Sequence, residues 1–134
     1  MSNTVKGLPR IILQAEGAAV FALALGAYAQ WGGSWGFFGL LILAPDLAMV
    51  GYVFGNRIGA AAYNAGHTYV VPLALVTIGM TAGSNTITAV ALIWIAHIGF
   101  DRMLGYGLKY ETGFGDTHLA SKAARKGETT RLLA

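Results

Sequence analysis

The sequence predicts an all-α integral membrane protein, a four-helix bundle with both termini on the cytoplasmic side. Three observations carry that reading. The 134 residues are 55% hydrophobic and only 11% charged, against roughly 25% charged in ordinary soluble domains. Between Ile11 and Phe100 the formal charges are Glu16, Asp46 and Arg57 alone. The apolar residues fall into four stretches, each near the ~20 residues that a helix needs to cross about 30 Å of hydrocarbon.

Taken in order, the helices are expected at about 8–29, 35–54, 58–80 and 86–108, with 111–134 as a cytoplasmic tail. Lys6 and Arg10 precede the first, and Ala27-Tyr28-Ala29 mimics a signal-peptide cleavage site. Gln14 and Glu16 interrupt what would be a signal core, so the segment is expected to stay as a helix. The links at 30–34, 55–57 and 81–85 are short, which makes consecutive helices antiparallel neighbours. Gly51, Gly55, Gly59 and Ala60 form small-x-x-x-small patterns that permit close helix contact.

Basic residues orient the chain. Lys6, Arg10, Arg57, Arg102, Lys109, Lys122, Arg125, Lys126 and Arg131 lie at the termini and the second link, while the first and third links carry neither Lys nor Arg. Positive residues stay inside, which places both termini in the cytoplasm of a cytoplasmic (inner) membrane. The net charge of +3 is then a topology signal, and no nucleic-acid partner is expected. Trp31 and Trp35 fall at the outer end, where amphipathic rings settle. The lipid bilayer is the expected partner, and four short helices leave room for a homodimer.

Counting from the cytoplasmic ends, Glu16 lies six residues beyond Arg10, Asp46 nine before Gly55 and His67 ten after Arg57. Asp101 and His97 lie eight and twelve before Lys109. At 1.5 Å per residue, all five sit at depths of about 8 to 18 Å. His97 and Asp101 share one helix face, and Asn64 shares that of His67. Ionisable groups at such depth mark a site, because each is expensive in hydrocarbon.

Two imidazoles and two or three carboxylates in one dry layer suit a divalent metal such as zinc, iron or manganese. Asp46, His67, His97, Asp101 and Glu16 are the candidate ligands, and a free carboxylate, Glu16 or Asp116, is the candidate general base. Asn64 and His118 are candidate supporting residues; Asp116 and His118 either fold back from the tail under the bundle or belong to a solvated turn. Cysteine is absent, so thiolate sites are excluded. Each group also has a plainer reading: a packed histidine, an Asp46 that satisfies backbone freed by Pro45, a Glu16 that snorkels toward Arg10. Their common depth favours a shared site.

Pro45-Asp46-Leu47, Tyr63-Asn64-Ala65-Gly66-His67-Thr68, Ala96-His97-Ile98-Gly99-Phe100-Asp101 and Gly113-Phe114-Gly115-Asp116-Thr117-His118-Leu119 together resemble the domain of unknown function 4260 family. These are small bacterial four-helix membrane proteins without an assigned activity, and the resemblance covers nearly the whole chain. The order Pro-Asp, His-Thr, His-x-x-x-Asp is also distantly similar to the inner-membrane metal-dependent hydrolase family. That likeness implies Asp46, His67, His97 and Asp101 as metal ligands. Ala48 stands where that family has a second acid, His67-Thr68 stands where it has Thr-His, and the His-Arg pair before the middle histidine is absent.

The function expected is therefore a membrane-embedded metal-binding protein, hydrolase-like, acting on a lipid or amphiphilic substrate from the cytoplasmic side. The alternatives are a proton or metal-ion relay or transporter, or a membrane assembly factor with a structural metal. The outer half offers mainly Thr77, Thr81, Ser84, Asn85, Thr86 and Thr88 near its surface, which predicts a cavity opening inward only.

Overall fold

The computed structural model describes residues 4–31 and 33–119. The basic tail residues Lys122, Arg125, Lys126 and Arg131 lie outside the described residues. The described chain is helical: α1 (Gly7–Trp31), α2 (Trp35–Leu41), a 3₁₀ segment (Ala44–Phe54), α3 (Asn56–His67), α4 (Val70–Thr81) and α5 (Asn85–Leu104). No strand is present among the described residues, only an isolated bridge between Lys109 and Thr117. Gly7–Trp31, Trp35–Phe54 and Asn85–Leu104 are long and apolar enough to cross a membrane. Large apolar side chains cover the outside, with Leu23, Leu40 and Val53 73%, 77% and 81% exposed, a surface suited to lipid and not to water.

Two expected helices are broken, and proline explains both. A proline ring clashes with the carbonyl four residues before it and offers no N–H to it. Pro45 acts on Leu41, where α2 ends, and the chain resumes as 3₁₀ helix from Ala44. Pro72 acts on Thr68, which is extended at φ −93°, ψ 142°, so the helix expected at 58–80 becomes α3 and α4 of 12 residues each. The last helix stops at Leu104 and not at 108, because Gly105 takes a left-handed φ of 89°. There the Tyr106 N–H returns to the Asp101 carbonyl at 2.8 Å, closing the helix end.

Packing centres on α5, whose Ala91, Ala96 and Ile98 are fully buried. It lies between α1 and α4, while α3 pairs with the 3₁₀ segment. Close approach depends on glycine at the α1–α5 crossing: a Cβ on Gly99 would stand 2.8 Å from the Phe21 nitrogen and 2.9 Å from the Gly17 oxygen. The 3₁₀ period of three puts Ala48 and Gly51 on one stripe, which faces Gly66 and Ala62 of α3.

The N-terminal segment and the loop after α5 meet at one end. Val5 N–H donates to the His118 carbonyl at 2.8 Å and Thr4 Oγ1 to the Thr117 carbonyl at 3.0 Å. Arg57 reaches Glu111 of the same loop at 3.8 Å. The opposite end is closed by the rings of Tyr28, Trp35 and Phe38, with centroids 5.2 to 5.4 Å apart.

Candidate metal centre

Asp46 opens the 3₁₀ segment, His67 ends α3, and His97 and Asp101 sit one turn apart on α5. Each offers one donor atom, and these four atoms all lie within 4.8 Å of one another. The imidazole Nε2 atoms of His67 and His97 are 3.1 Å apart. His67 Nε2 is 3.2 Å from Asp46 Oδ1 and 3.4 Å from Asp101 Oδ2. His97 Nε2 is 3.2 Å from each of the same two oxygens.

The break at Pro45 supplies what orients the His97 ring, and α3 itself orients that of His67. In a continuous helix the Ile42 carbonyl would accept from the Asp46 N–H, but that N–H turns to Leu43 at 3.0 Å. Ile42 O is thereby free for His97 Nδ1, at 2.5 Å. His67 Nδ1 bonds Tyr63 O at 2.9 Å, and its ring stacks on Tyr63 at 3.7 Å between centroids. Carbonyls only accept, so both Nδ1 atoms carry the hydrogen, and with the rings neutral both Nε2 atoms present bare lone pairs. The carbonyls left at the end of α3 are also paired: Trp94 Nε1 donates to Gly66 O at 2.6 Å, and Arg102 donates to His67 O at 2.9 Å.

With both rings in that neutral form, four acceptor atoms converge with no donor among them. One proton serves a single pair, whereas one cation at the centre satisfies all four. A tetrahedron of nitrogen and oxygen ligands about 2.0–2.1 Å from zinc has six edges of about 3.3–3.4 Å; five of the separations here span 3.1 to 3.4 Å, and the two carboxylate oxygens lie within 4.8 Å of each other. Two imidazoles in the set disfavour calcium and magnesium, which prefer oxygen. The fixed Nδ1 hydrogen bonds are the outer support that imidazole ligands ordinarily have. The donor set fits a divalent transition metal.

The other expected residues fall elsewhere. Glu16 is exposed on α1 and lines a separate cavity with Tyr69, Arg102 and His118. Asp116 is held in the loop, its Oδ2 accepting from Thr112 at 3.2 Å. The loop does fold back, but His118 Nδ1 accepts from the Leu108 N–H at 2.9 Å and does not join the four donors. Asn64 supports the site indirectly, clasping the Lys109 backbone through its amide nitrogen at 2.8 Å and its oxygen at 2.7 Å. Lys109 and Arg102, read from sequence as flanking charges, are only 8% and 9% exposed. Lys109 Nζ donates to Phe114 O at 2.6 Å and lies 4.6 Å from the Tyr63 ring centroid. Burial pushes its ammonium below the ordinary lysine value, and burial followed by the Arg102 charge pushes His118 down. Sequence reasoning missed Arg102 and Trp94 as partners of the α3 end, although Pro72 signals that carbonyls there must find new donors.

Fold and site together define an all-α membrane protein with a candidate metal centre at the breaks of its helices. A family model described as Domain of unknown function (DUF4260) matches residues 10–121, and the chain belongs to that family. No curated protein and no solved structure matches it.

Proposed function

We propose that the chain is a metal-dependent, hydrolase-like enzyme of the cytoplasmic membrane, acting on a lipid or other amphiphile from the cytoplasmic side. Asp46, His67, His97 and Asp101 hold one divalent ion, zinc in preference to iron or manganese. The observation that supports the metal is the convergence of four possible ligand atoms within 4.8 Å of one another, with both Nδ1 atoms already committed. The ion supplies Lewis-acid polarisation of a carbonyl or phosphoryl oxygen.

The chain's own groups divide the remaining work. His67 and His97 are locked through their Nδ1 hydrogens, and Asp101 is fixed on α5. Asp46 differs: its side chain is 31% exposed against 17% for Asp101. Glu16 and Asp116 lie away from the donors, so neither reaches the ion as a general base, and Asp46 is the donor most open to solvent. A cavity of about 250 Å³ lined by Leu41, Ala44, Pro45, Val90, Ile93 and Trp94 adjoins Asp46 along the chain. Its apolar walls suit an acyl chain and exclude water.

Orientation follows from the charges. Among the described residues Lys6, Arg10, Arg57, Arg102 and Lys109 belong to the end where the terminal segments pair, which supports both termini on the cytoplasmic side. The aromatic closure at the opposite end argues against a through-path for ions. One observation favours a second reading, an assembly factor with a structural metal: four protein donors complete a tetrahedron without an open position. Elemental analysis of detergent-purified protein, followed by assay of ester and phosphoester amphiphiles with and without chelator, separates these. One metal per chain with chelator-sensitive turnover supports the enzyme, metal without turnover the structural role, and no metal removes both.

A further inference from the structure

A second cavity, of about 380 Å³, lies between α1, the α3–α4 break and the C-terminal loop, lined among others by Leu13, Glu16, Val20, Tyr69, Arg102 and His118. None of the four metal donors lines it. Three features point to a ligand there. The Tyr69 hydroxyl is buried without a hydrogen-bond partner among the described residues, a state that an unfilled polar group resists. His118 spends its Nδ1 lone pair on the Leu108 N–H, so its remaining hydrogen is on Nε2, a donor. Arg102 adds a buried cation. Tyr69, His118 and Arg102 thus form a donor face suited to an anionic oxygen.

Glu16 brings the opposite sign. It is the one acid on α1, it is exposed, and it lines the same cavity. A ligand satisfying both faces carries an anionic group and a cationic group a short distance apart. The wall between them is apolar, from Leu13, Ala19 and Val20, and continues into the lipid-facing surface of α1. One side of the cavity belongs to the loop at the charged end and the other to the second through fourth turns of α1, so it runs from the headgroup level into the acyl chains.

We infer that this cavity binds a zwitterionic phospholipid, its phosphate against Tyr69, Arg102 and His118 and its ammonium against Glu16, with an acyl chain along Leu13 and Val20. The site is independent of the metal centre and stands or falls without it. Arg102 also holds the His67 carbonyl, so the informative variants are at Tyr69 and Glu16.

The test uses the full chain in detergent, read by thermal unfolding and native mass spectrometry, with metal content measured in parallel. The additions are phosphatidylethanolamine, phosphatidylglycerol, glycerophosphoethanolamine and inorganic phosphate. Phosphatidylethanolamine should be retained and should raise the melting temperature more than the others. Tyr69→Phe should weaken its binding about tenfold or more, the effect of one hydrogen bond to a charged group. The same variant should leave the lipid-free melting temperature intact, because the hydroxyl has no partner to lose. Glu16→Gln should abolish the preference for phosphatidylethanolamine over phosphatidylglycerol, and both variants should keep the wild-type metal content. Equal stabilisation by both lipids in the wild type overturns the inference, as does undiminished lipid binding in both variants. Protection by inorganic phosphate alone equal to that of the lipid replaces the lipid with a free anion and equally overturns it.

Discussion

Replacing His97 with alanine tests the metal centre most directly, because three separable quantities change. The first is hydrogen bonding: Ile42 O loses its Nδ1 donor, and an unsatisfied buried carbonyl costs about 1–3 kcal/mol. The second is charge. Two carboxylate oxygens within 4.8 Å repel by about 3.5 kcal/mol or more at an effective dielectric of about 20, and a divalent cation relieves this. The third is mass action, which stabilises the loaded protein by about 2.7 kcal/mol at a hundredfold excess of metal over Kd and about 4.1 at a thousandfold. Without metal the mass-action contribution vanishes, while the lost hydrogen bond and the carboxylate repulsion remain. Melting curves of wild type and His97→Ala should therefore be recorded with excess zinc and again with chelator, beside metal analysis. The wild type should melt on the order of 10 °C higher with zinc than without, while the variant shows a small residual shift and sub-stoichiometric metal. Full metal content in His97→Ala, or a wild type indifferent to zinc and chelator, would refute the tetrahedral assignment.

Other consequences are quick to check. A reporter active only in the periplasm, fused to the C-terminus, should be silent; a strong signal reverses the proposed orientation. Gly99→Leu forces a side chain against the Phe21 backbone and should destabilise by about 1–3 kcal/mol or more, whereas Gly26→Leu, with nothing within 4 Å of its Cβ position, should be nearly neutral; equal melting temperatures would contradict the α1–α5 crossing. His118 is held below its ordinary value of 6.5 by burial and then by Arg102. The folded loop thus favours the neutral ring, and its contribution is complete above pH about 6.5 and lost as pH falls toward the depressed value. Amide exchange over the loop, corrected for intrinsic rates, should accelerate between pH about 7.5 and about 5.5, and unchanged protection would show that His118 does not fasten it.

The sequence by itself determined the class of this protein, because the two terms that dominate in a membrane are local. Apolar length decides whether a segment can span, and a charge at depth is expensive wherever the rest of the chain goes. Counting residues from the basic ends was enough to put Asp46, His67, His97 and Asp101 in one layer, and the structure brings those four together. Depth says nothing about azimuth, however. Glu16 lies at a similar depth, yet its helix turns it to a different cavity, and only packing decides which way a helix faces. For Asp116 and His118 the sequence left a returning loop and a solvated turn equally open, because which atoms they meet depends on contacts between residues far apart in the chain. The broken helices stand between the two cases. Pro45 and Pro72 each mark a break four residues upstream that frees carbonyls, although the expectation of one helix over 58–80 takes no account of Pro72. That His97, Trp94 and Arg102 of α5 would fill those vacancies was decided by the tertiary fold, because a donor for an orphaned carbonyl is chosen by what packs against it.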